Sequence, residues 1–598
     1  MTNAVTNNES KKFVKDVNTL ISATISKLPT HRYCALGPTY QFMDGLGVDE
    51  HLKMSRFYGK WAKPDTTTAA TLEKECYEKW VAHEEYLWSI DPVSNIYRSQ
   101  DKSIHFKARD LLHTWLKGFK LDNRIDFTPG ASVLGGTREG TSVYRKLSDL
   151  KHWTVTWDAL EAALDLIMTT SALYNCALIH LRNKEHAGLF VVTEDSDIRS
   201  LIAEHVLTVV NGARGATVYK NKKVRRFINI EPTFNMLLQR KVANGLRKTL
   251  HKIGNDLEIG QDVHMKMICD LAYATVDWES ASDSNHYKWV EWLLPPKVFA
   301  YIKEYRSYYT EINGELYVNA KLSAMGNGFT FEVMTICLLA YARVLDNTAR
   351  VYGDDVVVNR EQSHRYVSAL MECGWKLNTT KTFMTGKFRE SCGAFYHEDV
   401  GYIESYDFKW AESPEEAIIL INKLRRIMNI NSTLKQLHTY LIEKTPALLK
   451  GPIVQGEICT KWVETRSYKR AKRGDKSSVS LWKKHQRLIK TCQSLWQKEV
   501  VAVNSAFFFK AMKTVLGDDI ECVFTFYTYM YTSRKTDDVI RGIGTWRPEE
   551  ILLFSDGSWC TVKGVRQLMN QNAEHLAFWS RKNVISPITH SRLVSTFP

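Results

Sequence analysis

The chain has 598 residues, 44% of them hydrophobic and 24% charged, and a formal net charge of +14. Those proportions exclude a disordered or fibrous polymer and allow several subdomains around a large core. The positive excess points to a polyanionic partner, with nucleic acid the first candidate.

Residues 1–8 are polar and do not read as a signal peptide. Helical spacing follows over residues 13–28 and 71–87, and Trp61, Tyr77, Trp80, Tyr86 and Trp88 are read as core aromatics. Residues 128–140 form a glycine-rich loop with Gly130 and Arg138, close to Arg145. Its amides would cradle phosphates, or it is a plain surface loop. Over residues 217–232, Lys220, Lys222, Lys223, Arg225 and Arg226 run into an alternating strand that ends Ile-Glu-Pro. A basic strand is commonly a solvated face. Upstream of a set of acids it would grip a triphosphate, with Glu231 orienting an arginine through a charge-assisted pair.

Residues 274–277 read as a short strand ending in Asp277. Asp283 then precedes an amphipathic segment, from about His286, that Pro295-Pro296 stops. Asp283 is either a cap for a helix begun near Ser284 or an acid facing a ligand. Residues 321–332 form a tight loop of small residues carrying Ser323 and Asn327. The apolar helix after it is interrupted by Arg343 and is too short to cross a membrane. Residues 351–358, Val-Tyr-Gly-Asp-Asp-Val-Val-Val, read as a hairpin with Asp354 and Asp355 at its tip. A helix over 361–373 and then Lys381 follow.

The last third reads as mostly helical. Its basic run, residues 466–490, includes Lys469 and Arg470 with Tyr468 and Trp482 interleaved. That is an RNA grip or a solvated helix face. The eleven cysteines are odd in number and lack a C-x-x-C pair, which predicts reduced thiols and an intracellular setting, not a disulfide or zinc framework.

Asp354 and Asp355 carry the chemistry. Adjacent half-buried carboxylates repel and call for a cation. Hard oxygen ligands suit Mg²⁺ or Mn²⁺. If the strand ending in Asp277 pairs beside the hairpin, three carboxylates can hold two ions. One ion would lower the pKa of an attacking 3′-hydroxyl and the other would neutralise a leaving pyrophosphate. Alone, an Asp-Asp pair is common in ordinary turns, and an Asp after a strand is commonly a cap. The order of the features is what favours a site.

In that order the motifs resemble those of the catalytic β-subunits of Qβ-type levivirus replicases, from single-stranded RNA bacteriophages. The resemblance rests on the basic strand ending Ile-Glu-Pro, Asn235-Met236, residues 277–284, Met325-Gly326-Asn327-Gly328 with Thr330-Phe331-Glu332, the Tyr-Gly-Asp-Asp hairpin, Lys381-Thr382-Phe383 and residues 388–393. It covers about residues 217–395 and reaches weakly to the Gly130 loop.

The resemblance implies an α+β right-hand polymerase. Its parts would be an N-terminal helical segment with fingers (1–232), a palm of antiparallel sheet plus helices (233–405), and a mostly helical thumb with the C-terminal region (406–598). It implies primer-independent, RNA-templated RNA synthesis from ribonucleoside triphosphates in the cytoplasm of an infected bacterium, with no membrane. Carried over by position, Asp277, Asp354 and Asp355 hold two Mg²⁺ ions, with Mn²⁺ an alternative. Lys220, Lys223 and Arg226 grip the triphosphate, and Asp283, Ser323 and Asn327 sense the ribose. Lys381 is a general acid for pyrophosphate, and Gly130, Arg138, Lys469 and Arg470 face RNA. Host elongation factors Tu and Ts and an OB-fold ribosomal protein are implied as partners.

Two rivals stay open. A reverse transcriptase also uses a Tyr-x-Asp-Asp hairpin, but the polar Asp283 and Asn327 argue against exclusion of a 2′-hydroxyl. A non-catalytic RNA-binding protein would use the charge alone and leave the ordered acids unexplained. No H-E-x-x-H, G-x-S-x-G or Walker loop is present.

Overall fold

The helix Thr330–Leu345 (TFEVMTICLLAYARVL) is apolar around its whole circumference, and such a helix must be enclosed on every side. In the computed structural model it is, packed against the helices Lys102–Trp115 and Thr233–Lys252. Ile336, Leu338 and Leu339 are fully buried, each contributing roughly 1.5–3 kcal/mol of transfer free energy. Around them Trp278, Trp289 and Trp375 pack edge to face, with both Trp375 pairs at 5.6 Å between ring centres. The structure describes residues 7–27, 50, 52–54, 66–128, 130–135, 146–147, 149–188, 197–221, 224–403, 411, 414–425, 427–430 and 432–444. It also describes the backbone of three strands between 520 and 563.

The architecture is α+β. A three-stranded antiparallel sheet lies on the core helix, with Asp355–Asn359 between Tyr273–Val276 and Arg350–Tyr352. A second antiparallel sheet, Phe388–Ser391, Ala394–His397 and Gly401–Ile403, lies beside it. The buried Arg389 joins the two, with Nε donating to the carbonyl of Tyr273 at 2.5 Å and Nη2 to that of Leu271 at 3.1 Å. A four-stranded sheet carries the basic sequence as a hairpin, Gly212–Asn221 against Val224–Ile230, continued by Tyr309–Ile312 and Glu315–Val318. The helix Thr66–Ser89 covers one face of this sheet through Trp80, which stacks on Phe227 at 4.6 Å.

A separate apolar cluster joins distant parts of the chain. Val17 and Ile21 of the helix Asn7–Lys27 pack with Leu420 and Ile421 of Pro414–Leu424 and with Leu434 and Leu441 of Ser432–Lys444. Asn18 closes the contact by bonding both the carbonyl and the amide of Ala411, at 2.8 and 3.1 Å.

The mostly helical C-terminal region does not hold among the described residues. Beyond the two helices, Ile520–Tyr531, Gly544–Phe554 and Trp559–Lys563 form antiparallel strands, and Ile125–Phe127 pairs parallel to the last of them. The composition explains the difference: IECVFTFYTYMY is dense in β-branched and aromatic residues, which favour strands. No single described helix is long and apolar enough to cross a membrane. No disulfide joins the described cysteines.

Candidate active site

The acidic hairpin forms as the sequence predicts. Tyr352 pairs with Asp355, leaving Gly353 and Asp354 as the two turn residues. Gly353 has φ +67°, and a Cβ there would lie 2.5 Å from the Phe331 ring. Only glycine meets both demands. Its amide donates to Thr335 Oγ1 of the core helix at 3.0 Å, and Phe331 packs edge-on against Tyr352 at 5.0 Å. The tip is thus clamped to the core helix.

Asp277 reaches the hairpin by strand register. Val276 pairs with Val356, so Asp277 continues the ladder opposite Asp355. The two hairpin acids remain poorly compensated. Burial and the charge of Asp277 raise the Asp354 carboxyl above the ordinary carboxylate range, while Lys381 and Arg226 pull it down. Burial and the charges of Asp354 and Asp277 raise Asp355 too. Carboxylates driven toward protonation by burial and mutual repulsion are a cation site by chemistry.

The three acids do not form a closed cage. Among the described residues no three His, Cys, Asp or Glu side chains are gathered as metal ligands. Asp277 is turned to other donors: Asn378 Nδ2 at 3.1 Å on Oδ1 and Lys381 Nζ at 2.8 Å on Oδ2. Burial works against the Lys381 ammonium, but Asp277 and Glu390 outweigh it and hold its pKa well above the ordinary lysine value. Lys381 is therefore firmly protonated beside the acids. Asn378 was not singled out from the sequence; it lies three residues before Lys381 in the same turn, and its signal was only that proximity.

The basic hairpin brings its cations to the acids. Burial, then Arg226 and Lys381, lower the Lys220 pKa, while Asp277 and Asp354 raise it. Lys220, Arg226, Lys381, Asp277 and Asp354 therefore share one electrostatic neighbourhood. Lys223 lies outside the described residues, as do Arg138, Lys469 and Arg470. Arg225 points elsewhere: it stacks on Tyr219 at 4.4 Å and pairs with Glu73 at 3.5 Å.

Glu231 orients neither arginine of its strand. It is buried and accepts from Ser307 Oγ at 2.7 Å, Gln239 Nε2 at 3.1 Å and Asn327 Nδ2 at 3.4 Å. Glu231 follows the last strand residue, Ile230, and is buried, whereas Arg226, five positions back, is exposed and Arg225 is paired with Glu73. Asn327 also accepts from the Phe329 amide at 3.1 Å, so its side chain closes its own loop. Gly326, at φ +107°, lets that loop press on the strand, where a Cβ would lie 2.2 Å from the Asn229 carbonyl oxygen.

Asp283 is not the helix cap. It sits in a short turn, Ala281–Asp283, and the helix Tyr287–Leu293 is capped by His286, whose ring accepts from the Lys288 amide. Asp283 instead accepts from Lys321 Nζ at 2.7 Å. The Ser323 hydroxyl is buried without a hydrogen-bond partner among the described residues. Gly130 is exposed. In the described part of its loop, Val133 offers its carbonyl to Arg214 at 2.9 Å and the Gly135 amide bonds Ser132, so these groups face the protein rather than a phosphate.

The family described as RNA replicase, beta-chain, matches residues 56–494, most of the chain. The chain belongs to the RNA replicase beta-chain family. Among relatives, it is 32% identical over 328 residues to the RNA-directed RNA polymerase beta chain of Escherichia phage MS2, covering 53% of this chain and 56% of that protein. It is 34% identical over 229 residues to the RNA-directed RNA polymerase subunit beta of Qbeta virus (strain MX1), covering 36% and 39%. The match spans about half the length, or less, of these relatives. A solved RNA-dependent RNA polymerase of a human picorbirnavirus aligns with 60% of this replicase-family chain and 83% of its own, at 11% identity and a TM-score of 0.29. That likeness is too loose to carry an argument.

Proposed function

We propose that this chain is an RNA-directed RNA polymerase that replicates an RNA phage genome from ribonucleoside triphosphates. The observation that carries the reading is the register that sets Asp277 opposite Asp355, beside Asp354, with Lys220, Arg226 and Lys381 in the same field. Poorly compensated hard-oxygen acids next to cations suit a reaction that brings in a metal-bound triphosphate and releases pyrophosphate.

Asp277, Asp354 and Asp355 fit two Mg²⁺ ions, which when bound would activate a 3′-hydroxyl and neutralise phosphate charge. Arg226 and Lys220 bind the triphosphate, which neither meets as an acid–base partner. Lys381 holds its proton at Nζ beside Asp277 and would be the group placed to give it to the leaving pyrophosphate. Asp283 accepts a hydrogen bond from a ribose hydroxyl, with the unpartnered Ser323 hydroxyl close in sequence to its lysine. Asn327 supports this pocket by fixing the loop to Glu231.

The reading extends to a right-hand arrangement with fingers over 1–232, palm over 233–405 and thumb over 406–598. It extends also to primer-independent initiation, host elongation factors Tu and Ts, an OB-fold ribosomal protein, and work in the bacterial cytoplasm. Those extensions rest on family membership.

The test is Mg²⁺-dependent incorporation of labelled ATP against dATP on an RNA template, with the host subunits supplied. Ribonucleotide incorporation that Asp354→Asn abolishes is expected. A preference for dATP, or undiminished synthesis by Asp354→Asn, would overturn the reading.

A further inference from the structure

Lys321 is 1% exposed, yet it is an ammonium. A buried charge of this kind costs several kcal/mol unless it is surrounded by compensating groups. Here it is. Nζ lies 2.9 Å from Glu84 and 2.7 Å from Asp283, and it sits over the Trp80 ring at 4.4 Å. Its backbone is fixed as firmly. Lys321 pairs across a short bridge with His286, Leu322 donates to Asn285 at 2.7 Å, and the Lys321 carbonyl accepts from the buried Arg306 at 2.8 Å. Glu84 is held in turn by the Ala320 amide at 2.7 Å.

Two features make this more than a buried ion pair. The Asp283 side chain is 18% exposed, so the lysine grips it from behind and leaves part of it open. Trp80 stacks on Phe227, the neighbour of Arg226 in the basic strand, and Lys321 lies 6.0 Å from that second ring. One lysine therefore touches both the support of the sugar-facing acid and the support of the strand that carries the phosphate-gripping arginine. Glu84 and Trp80 are four residues apart on one face of Thr66–Ser89. That helix lies outside the catalytic motifs.

We infer that Lys321, held by Glu84 and Trp80, is a positioning residue for sugar selection: it fixes Asp283 as the acceptor for the ribose 2′-hydroxyl. The inference rests on the ribonucleotide-polymerase reading above. Without the lysine, Glu84 and Asp283 face one another with no cation between them. The two acids would swing apart, and a displaced Asp283 no longer penalises a missing hydroxyl.

The experiment compares kcat/KM for ATP and dATP in single-nucleotide extension, using the full chain with its host subunits. Three variants are read together with thermal midpoints: Asp283→Ala, Lys321→Met and Lys321→Arg. Asp283→Ala should lower the ATP/dATP ratio about tenfold or more, and Lys321→Met should approach the same value. Lys321→Arg keeps the charge and so protects the fold, but its planar fork cannot place a donor where the ammonium stood; a drop of roughly threefold is expected. If Asp283→Ala keeps the wild-type ratio, the sugar-sensing site itself is wrong and this inference falls with it. If Asp283→Ala lowers the ratio while Lys321→Met loses only thermal stability, the site stands and the positioning role of Lys321 is overturned. Should Lys321→Met fail to fold, a wild-type ratio in Lys321→Arg overturns it equally.

Discussion

Glu231 and the Asp354–Asp355 hairpin put the same chemistry in two settings. Glu231 is buried and its oxygens are met by a serine, a glutamine and an asparagine. The hairpin acids are pressed against one another, with cations only at the margin. Glu332 belongs with Glu231, since it is buried and paired with Arg247 at 2.6 Å. Burial raises the Glu231 carboxyl too, but its three donors pull it back down and it holds the fold together; the hairpin acids, raised by burial and by neighbouring acids, store electrostatic repulsion that a ligand can relieve.

The sharpest test of this contrast neutralises the hairpin. Asp355→Asn should cut polymerisation by roughly a thousandfold or more, yet raise the thermal midpoint of metal-free protein at neutral pH. The sign follows from the raised carboxyl pKa in the folded chain. Between the ordinary carboxylate pKa and the raised one, the folded protein binds more protons, so stability is lost as pH rises through that window. Calorimetric scans of wild type and Asp355→Asn from neutral pH down to the ordinary carboxylate range should therefore converge on acidification. A mutant less stable than wild type at neutral pH would break the contrast.

Next in size, Arg306→Ala should destabilise, because it strands the buried carbonyls of Asn319 and Lys321, each at a cost of about 1–3 kcal/mol, and empties the space between Tyr287 and Tyr308. Denaturant unfolding reads this directly. Arg226→Ala, on the exposed side of its strand, should leave the unfolding midpoint within error and raise the nucleotide KM about ten- to a hundredfold, the worth of a charge-assisted contact. Equal stability losses in these two arginine variants would erase the distinction between answered and available charge. The smallest effect belongs to Asn378→Ala. It removes one hydrogen bond to Asp277, about 0.5–1.5 kcal/mol, and should lower kcat a few-fold because Lys381 still holds the other carboxylate oxygen.

What the sequence made legible was local. The Tyr-Gly-Asp-Asp hairpin, the strand before Asp277 and the apolar helix all follow from turn chemistry and periodicity and formed, although the strand ends one residue earlier, at Val276, and the helix begins at Thr330, inside the stretch read as a loop. What it hid depends on groups far apart in the chain. Lys321 reads as the start of a small-residue loop, and its partner Glu84 lies more than two hundred positions away in a helix that looks merely amphipathic. Asp283 had the spacing of a cap, but His286 took that role three residues later. Glu231 stood beside arginines in sequence and found its partners in other elements. Its donors are Gln239, Ser307 and Asn327, so nearness to the basic strand predicted the wrong pairing. At the C-terminal end the misreading was of composition: the aromatic and β-branched run beginning at Ile520 outweighed the helical impression of its surroundings.

The clasp between Asn18 and Ala411 has a consequence for synthesis. The two residues are 393 positions apart, so the helix Asn7–Lys27 leaves the ribosome long before its packing surface exists. At roughly 5–20 residues per second, translation imposes a wait of about 20–80 s. During it the apolar stripe of Val17 and Ile21 lacks the part of its cover that comes from residues 411–442. A nascent chain in that interval is exposed to holding factors and to aggregation. Slowing elongation upstream of residue 411 should lengthen that exposure and lower the yield of folded protein, whereas slowing it after residue 444 should not.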